Sequence, residues 1–153
     1  VSIVDIKRSF VILKNLSFMP HSANSRQHTR VQTSIRTPIL IRYGNKSSVQ
    51  GEIFDVSVNS IAIKVGSKSI KEDIKNQIVK LNFSLPNEAG ENGYISMDIQ
   101  AKVTYVLQQE DHTKVVVMLG RLPKPYDDYL LHYMYTRQKE LILEIRRATK
   151  AYN

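Results

Sequence analysis

The chain has 153 residues, and its 22 lysines and arginines against 14 acidic residues give a formal net charge of +8 at pH 7. This length suits one domain with a core of its own. The absence of cysteine excludes a disulfide framework, thiolate metal ligands and a cysteine nucleophile. No apolar run is long enough to span a bilayer and no secretory signal is recognisable, so we expect a cytoplasmic protein without a transmembrane segment.

The positive charge is concentrated in the N-terminal third of the chain. Residues 1–50 contain eight lysines and arginines but a single acidic residue, Asp5. Such a basic segment attracts anionic small molecules, nucleic acid and acidic membrane surfaces alike. Charge alone therefore leaves the type of partner open.

Residues 1–25 are expected to be an N-terminal segment and linker outside the main domain. The short apolar runs within residues 1–18 predict one or two strands, or the tail of a preceding domain. The chain starts at Val1 in the middle of an apolar pattern, so we expect further residues upstream. A polar stretch that begins at Pro20 then leads to Arg26.

Strand-like patterns dominate the middle of the chain. They cover residues 36–43, 49–54, 60–65, 77–85, 94–107 and 113–120, with turns expected at 44–45, 87–93 and 109–112. The fifth pattern is the clearest, because apolar residues alternate from Ile95 to Leu107, with a bend expected near Ala101. Six strands joined by turns predict a mainly β fold, a closed or nearly closed antiparallel barrel.

The pattern changes to helical spacing over residues 125–150. Leu130, Met134, Leu141 and Ile145 recur on one face, and Leu131, Tyr135 and Ile142 widen it. Proline and aspartates at the start and basic residues at the end suit the two poles of a helix. We therefore expect a C-terminal helix that packs on its own domain.

Two short clusters are the strongest functional signal. Arg26 and Arg30 are four positions apart, and the cluster from Asp55 to Ser60 immediately precedes a predicted strand. Arginine forks can bind phosphates or the O6/N7 edge of guanine. A carboxylate such as Asp55 repels a bare phosphate but accepts hydrogen bonds from guanine N–H groups. The combination indicates a guanine nucleotide.

These clusters resemble the signature of the PilZ domain family, R-x-x-x-R followed by [D/N]-x-S-x-x-G at the start of a barrel strand. The resemblance covers residues 26–153 and implies a six-stranded antiparallel PilZ-type β-barrel with a C-terminal α-helix. It also implies cyclic di-GMP as the ligand. The ligand-binding residues it implies are Arg26, Arg30, Asp55, Ser57 and Ser60, with His28 and Asn59 in secondary roles.

Ser60 departs from the family pattern, because glycine is usual at that position. Glycine allows a positive φ or a close approach to the ligand. We expect Ser60 instead to adopt an ordinary backbone conformation at little cost. Ser25 also replaces the arginine that, in the family, favours a bound pair of ligands, so one bound molecule is expected.

The expected function is therefore a cyclic di-GMP receptor that changes conformation on binding and regulates a protein partner or a fused upstream domain. One alternative is a basic β-barrel that binds nucleic acid through its N-terminal arm. It is less favoured because few aromatic residues lie on the predicted strands to stack on bases. A second alternative is a degenerate PilZ-like adaptor that binds protein without a ligand, and Ser60 is its only support.

An enzyme is the least favoured class. The four histidines lack metal-ligand spacing, and no phosphate-binding glycine loop is present. Ser57 is not surrounded by the residues of a nucleophile elbow. We expect no catalytic residue, no metal site and no resident cofactor.

Overall fold

The computed structural model describes residues 3–5, 10–12, 28–44, 47–67, 69–91 and 93–150. Its strands are β1 (Ile3–Asp5), β2 (Phe10–Ile12), β3 (Val31–Gln32), β4 (Pro38–Tyr43), β5 (Ser47–Val56), β6 (Ser60–Gly66), β7 (Ile78–Glu91), β8 (Tyr94–Gln108) and β9 (His112–Leu119). Its helices are the 3-10 helix η1 (Glu72–Ile74) and the α-helix α1 (Lys124–Lys150).

The chain divides into two compact units. One comprises residues 28–137, and the other comprises residues 1–27 together with 138–153. In the second unit β1 and β2 pair antiparallel as a separate two-stranded sheet. Helix α1 is continuous and contributes its first half to one unit and its second half to the other.

The first unit is a closed six-stranded antiparallel barrel, so the fold expected from the sequence is confirmed. The strands follow the order β5, β4, β7, β8, β9, β6, and β6 pairs back with β5. Strand β5 is shared, because its first half pairs with β4 and its second half with β6. Gly51 lies where the two halves meet, and a Cβ atom there would lie 2.7 Å from the Lys64 carbonyl oxygen, so glycine permits this close crossing.

Strands β7 and β3 differ from the sequence-based expectations. Strand β7 continues to Glu91, which pairs with Tyr94, although residues 87–93 were expected to form a turn. The hairpin stays paired across a register shift and turns at Gly93, whose φ is +77°. The two-residue strand β3 was not expected, since a strand this short has no recognisable period.

The core fills the interior of the barrel with aliphatic side chains. In β8, Met97 and Val103 mark the ends of a regular alternation of buried and exposed residues. The alternation then fails, because the pairing with β9 shifts between Val103 and Tyr105, and Tyr105 and Leu107 are exposed. The irregularity therefore lies at Thr104, which is an extra residue in the ladder with no counterpart on β9.

Helix α1 begins at Lys124, one residue before the expected start. The buried residues of its first half are Leu130, Tyr133, Met134 and Arg137. This spacing places all four on one face of the helix. The stripe is narrower than expected, because Leu131, Tyr135, Ile142 and Ile145 are 47%, 60%, 51% and 65% exposed. Within the described ranges, no helix is both long and apolar enough to cross a membrane.

Candidate functional site

A β-bulge in β5 sets the direction of Asp55. Ile53 pairs with Ile63 and Asp55 pairs with Ala62, so Phe54 is an extra residue with no counterpart on β6. Ile53 and Val56 both lie in the core, at 1% and 0% exposed. Regular alternation after Ile53 would turn Asp55 into the core. The extra residue instead directs the carboxylate to the other face of the barrel wall.

Arg30 meets Asp55 on that face. Its Nη1 atom donates to Oδ1 of Asp55 at 3.2 Å, across 25 positions of sequence. The two side chains are 22% and 13% exposed, so the pair is partly shielded from water. A guanidinium carries five N–H donors, and this contact uses one of them. Arg30 therefore keeps donors for an anion while it orients the carboxylate.

The backbone that follows Arg30 is fixed on β5. Gln32 pairs with Asp55 in the β3–β5 ladder. The Thr33 hydroxyl donates to the Ile53 carbonyl oxygen at 3.3 Å. The second arginine of the motif is thus attached to the strand that carries the acidic residue, which gives the pair a defined geometry.

The turn between β5 and β6 is held by Ser57 and Ser60. The Ser60 amide donates to Oγ of Ser57 at 3.0 Å, and the Ser57 amide donates to the Ser60 carbonyl at 2.8 Å. The two hydroxyl oxygens are 2.7 Å apart. Ser57 is 1% and Ser60 is 8% exposed. Oγ of Ser57 is therefore engaged within the turn, and its observed contribution is to the shape of the turn.

Ser60 has an ordinary backbone conformation, as expected. Among the described residues, Asn76 is the one non-glycine residue with a positive φ. Serine therefore replaces the usual glycine without backbone strain.

The remaining residues of the two motifs lie in different environments. Arg26 is outside the described residues. His28 is exposed. Asn59 accepts a hydrogen bond from the Ser57 hydroxyl at its Oδ1 atom, at 3.0 Å, and its carbonyl oxygen accepts from the Leu119 amide at 2.8 Å. Asn59 thus connects the motif turn with the end of β9.

Positive charge on the barrel wall adjoins this site and was not expected from the sequence. The Nζ atoms of Lys64 and Lys114 lie 4.4 and 5.2 Å from the ring centroid of Phe54, the bulged residue beside Asp55. Lys64 and Lys114 are also directly paired between β6 and β9. Like charges in such a position oppose each other, and the aromatic face lowers that cost. The field at the site thus includes cations far from the N-terminal third.

A metal centre has no support in the part of the chain that the structure describes, because no group of three potential ligands lies together there. A set of basic donors beside one carboxylate suits instead an organic anion that also carries N–H donors.

Comparison with known proteins places the fold. No family model matches the chain. An uncharacterized protein of Aquifex aeolicus (strain VF5) is 22% identical over 148 residues, which are 97% of this chain and 66% of that protein, just under two thirds of its length.

Solved structures share the architecture at low sequence identity. The PilZ domain of Escherichia coli YcgR with c-di-GMP superposes with a TM-score of 0.61 at 7% identity, over 80% of this chain and 98% of that domain. Bacillus subtilis MotI (DgrA), an inhibitor of motility, gives 0.61 at 17% identity, over 76% and 52% of the two chains. The K. pneumonia MrkH–c-di-GMP complex gives 0.56 at 16% identity, over 80% and 55%. The chain therefore has a PilZ-like fold, and it spans about half the length of MotI and MrkH.

Proposed function

We propose that this chain is a cyclic di-GMP receptor domain that acts by binding and not by catalysis. The observation that carries the proposal is the Arg30–Asp55 pair, with its 3.2 Å contact, on the bulged strand of a PilZ-like barrel. The pair presents a bidentate donor and an acceptor side by side. The ligand that suits both is one with phosphates and guanine edges.

The chemistry of the pair argues against a simple anion. A phosphate alone would gain from Arg30 but would be repelled by the Asp55 carboxylate. A guanine presents N–H donors to that carboxylate and acceptor atoms to an arginine fork. Cyclic di-GMP combines two guanines with two phosphates, so it can use the arginine donors and the carboxylate together.

The comparisons support the same ligand. YcgR and MrkH share the fold, and both are known as complexes with c-di-GMP. In this chain, Arg30 and Asp55 are assigned to the ligand, and Arg26 is assigned to it from the motif. Ser57 and Ser60 shape the turn that borders the ligand, while His28 and Asn59 have secondary roles.

We further propose that binding is regulatory. Residues 26–153 would serve as the receptor domain, and the ligand would change how the N-terminal segment and helix α1 are presented to a protein partner or a fused upstream domain. This is a shift between conformations of different ligand affinity, without a chemical step.

Calorimetric titration of the purified chain tests the proposal. Cyclic di-GMP should bind with a defined stoichiometry, one molecule per chain, and more tightly than cyclic di-AMP or GTP. A short single-stranded oligonucleotide serves as the probe of the nucleic-acid alternative. Equal affinity for the three nucleotides, or binding of the oligonucleotide alone, would refute the receptor assignment.

A further inference from the structure

The fourth buried position of helix α1 is occupied by an arginine. Arg137 lies on the same face of the helix as Leu130 and Met134, at the i+7 position from Leu130, and is 6% exposed. The side chains that precede it on the same face are apolar or aromatic. A guanidinium is costly to place in such a position unless hydrogen bonds orient it and compensate for lost water. The burial of the Arg137 guanidinium therefore requires compensating contacts.

Arg137 contacts the short strand β3. Nε of Arg137 donates to the Gln32 carbonyl oxygen at 3.0 Å, across 105 positions of sequence. Gln32 follows Arg30 by two residues and pairs with Asp55. The hydrogen bond from the helix therefore ends on β3, the short strand that directly follows Arg30.

We propose that Arg137 is a positioning residue that couples the Arg30–Asp55 site to helix α1. This inference rests on the proposed function for the identity of the ligand, but its structural basis is the path from Asp55 through Gln32 to Arg137. A ligand that draws Arg30 toward its phosphates displaces β3, and the Gln32 carbonyl transmits that displacement to the helix. The coupling is reciprocal, so the helix position also sets the affinity of the site.

Arginine is suited to this role in a way that lysine is not. Its planar fork donates from Nε in one fixed direction and keeps the terminal nitrogens for other contacts. Lysine retains the charge but ends in a rotating point donor. Arg137→Lys therefore separates the geometry of the bond from the charge. Arg147→Lys is the matched control, since it makes the same change at an exposed arginine of the same helix.

The experiment combines calorimetric titration with amide hydrogen exchange on the whole chain. In the wild type, cyclic di-GMP should slow exchange both at residues 31–33 and at helix residues 130–137. Arg137→Lys should bind the ligand about tenfold more weakly, and in this variant the ligand should slow exchange at residues 31–33 alone, while Arg147→Lys should behave as the wild type. A variant that melts earlier but keeps ligand-induced protection of the helix would show a merely structural role and overturn the inference.

Failure of the proposed function would be recognised separately. If the wild type does not bind cyclic di-GMP, the path is tested without ligand by Asp55→Asn, made in the wild type and in Arg137→Lys. Faster exchange at residues 130–137 in the wild-type background alone supports the coupling, and equal acceleration in both overturns it. If Arg137→Lys does not fold, Arg137→Gln, which keeps an N–H donor without the fork, replaces it with the same expectations.

Discussion

Gln32 lies directly opposite Asp55 in the β3–β5 ladder, so the arginine segment and the acidic strand are joined by backbone pairing as well as by side chains. Arg30, two residues before Gln32, contacts the same aspartate, because its Nη1 atom lies 3.2 Å from Oδ1 of Asp55. Each half of the motif therefore depends on the other for its position, which makes single substitutions at the junction informative.

Removing the Arg30 guanidinium should weaken ligand binding strongly. Arg30→Ala is expected to cost about 1.5–3 kcal/mol of cyclic di-GMP binding, the range for hydrogen bonds to charged groups. The measurement is calorimetric titration. Arg36→Ala is the control, because Arg36 is 91% exposed and its contact to Glu52 is 3.9 Å long. We expect Arg26→Ala to weaken binding by the same amount as Arg30→Ala. If Arg30→Ala binds cyclic di-GMP as tightly as the wild type, Arg30 contributes only to the surface charge and does not contact the ligand.

Asp55→Ala should reduce discrimination between bases more than overall attraction. The carboxylate is proposed to accept from guanine N–H donors, which cyclic di-AMP does not offer in the same arrangement. The ratio of affinities for cyclic di-GMP and cyclic di-AMP should therefore fall toward unity while residual phosphate binding remains. Parallel titrations with the two ligands measure that ratio. Proportional losses for both would exclude a base-reading role.

Deletion of Phe54 should be tolerated about as well as its truncation. Without the bulged residue, Ile53, Asp55 and Val56 follow one another in regular alternation, so Ile53 and Val56 stay in the core and the Asp55 carboxylate keeps its direction. Phe54→Ala keeps the bulge and loses mainly ring contacts with Lys64 and Lys114, about 1–2 kcal/mol. Urea denaturation compares the two variants. A much lower free energy of unfolding for the deletion than for Phe54→Ala would show that β5 needs the extra residue to keep its register.

The two serines of the motif turn should respond differently to substitution. Ser57→Ala removes the acceptor of the Ser60 amide and should lower the free energy of unfolding by about 1–3 kcal/mol. Ser60→Gly introduces the glycine of the PilZ signature and should leave binding unchanged or stronger. Thermal unfolding and titration of each variant provide the readouts. A marked loss of affinity in Ser60→Gly would mean that the Ser60 hydroxyl contacts the ligand.

The polar stretch from Pro20 to Arg30 should become ordered on ligand binding. Its composition offers little apolar surface to hold it in place, and it carries both arginines of the motif. Amide exchange at residues 20–30 should therefore slow when cyclic di-GMP saturates the protein. Identical exchange with and without ligand would remove the proposed switch and leave the binding proposal standing.

The barrel was predictable because short strand-like runs separated by turn residues mark its six strands, and because β8 alternates between buried and exposed residues. The starts of β6 and β8 coincide with the expected residues. The helix was equally clear from its spacing. The juxtaposition of Arg30 and Asp55 was anticipated from the motif and its resemblance to a family, since no local pattern relates residues 25 positions apart.

The features that a pattern cannot reveal are those that break the pattern. The bulges at Phe54 and Thr104 each add one residue without any compositional mark, and they reverse the facing of the residues that follow. Arg137 occupies an apolar position of the helix, where its carbonyl partner is set by tertiary structure. Reasoning from the sequence assumes regular alternation in strands and places charged residues at the surface. It therefore predicts neither the two bulges nor the burial of Arg137.

The order in which the barrel strands pair also affects how the chain folds during its synthesis. Strand β9 lies between β6 and β8 in the sheet, but along the chain η1 and the two long strands β7 and β8 all come between β6 and β9. As a nascent chain leaves the ribosome, β6 and β8 must therefore wait with open edges until β9 is synthesised. Open edges invite pairing with other chains. Any interruption of translation before β9 would thus yield an aggregation-prone fragment rather than a smaller folded barrel.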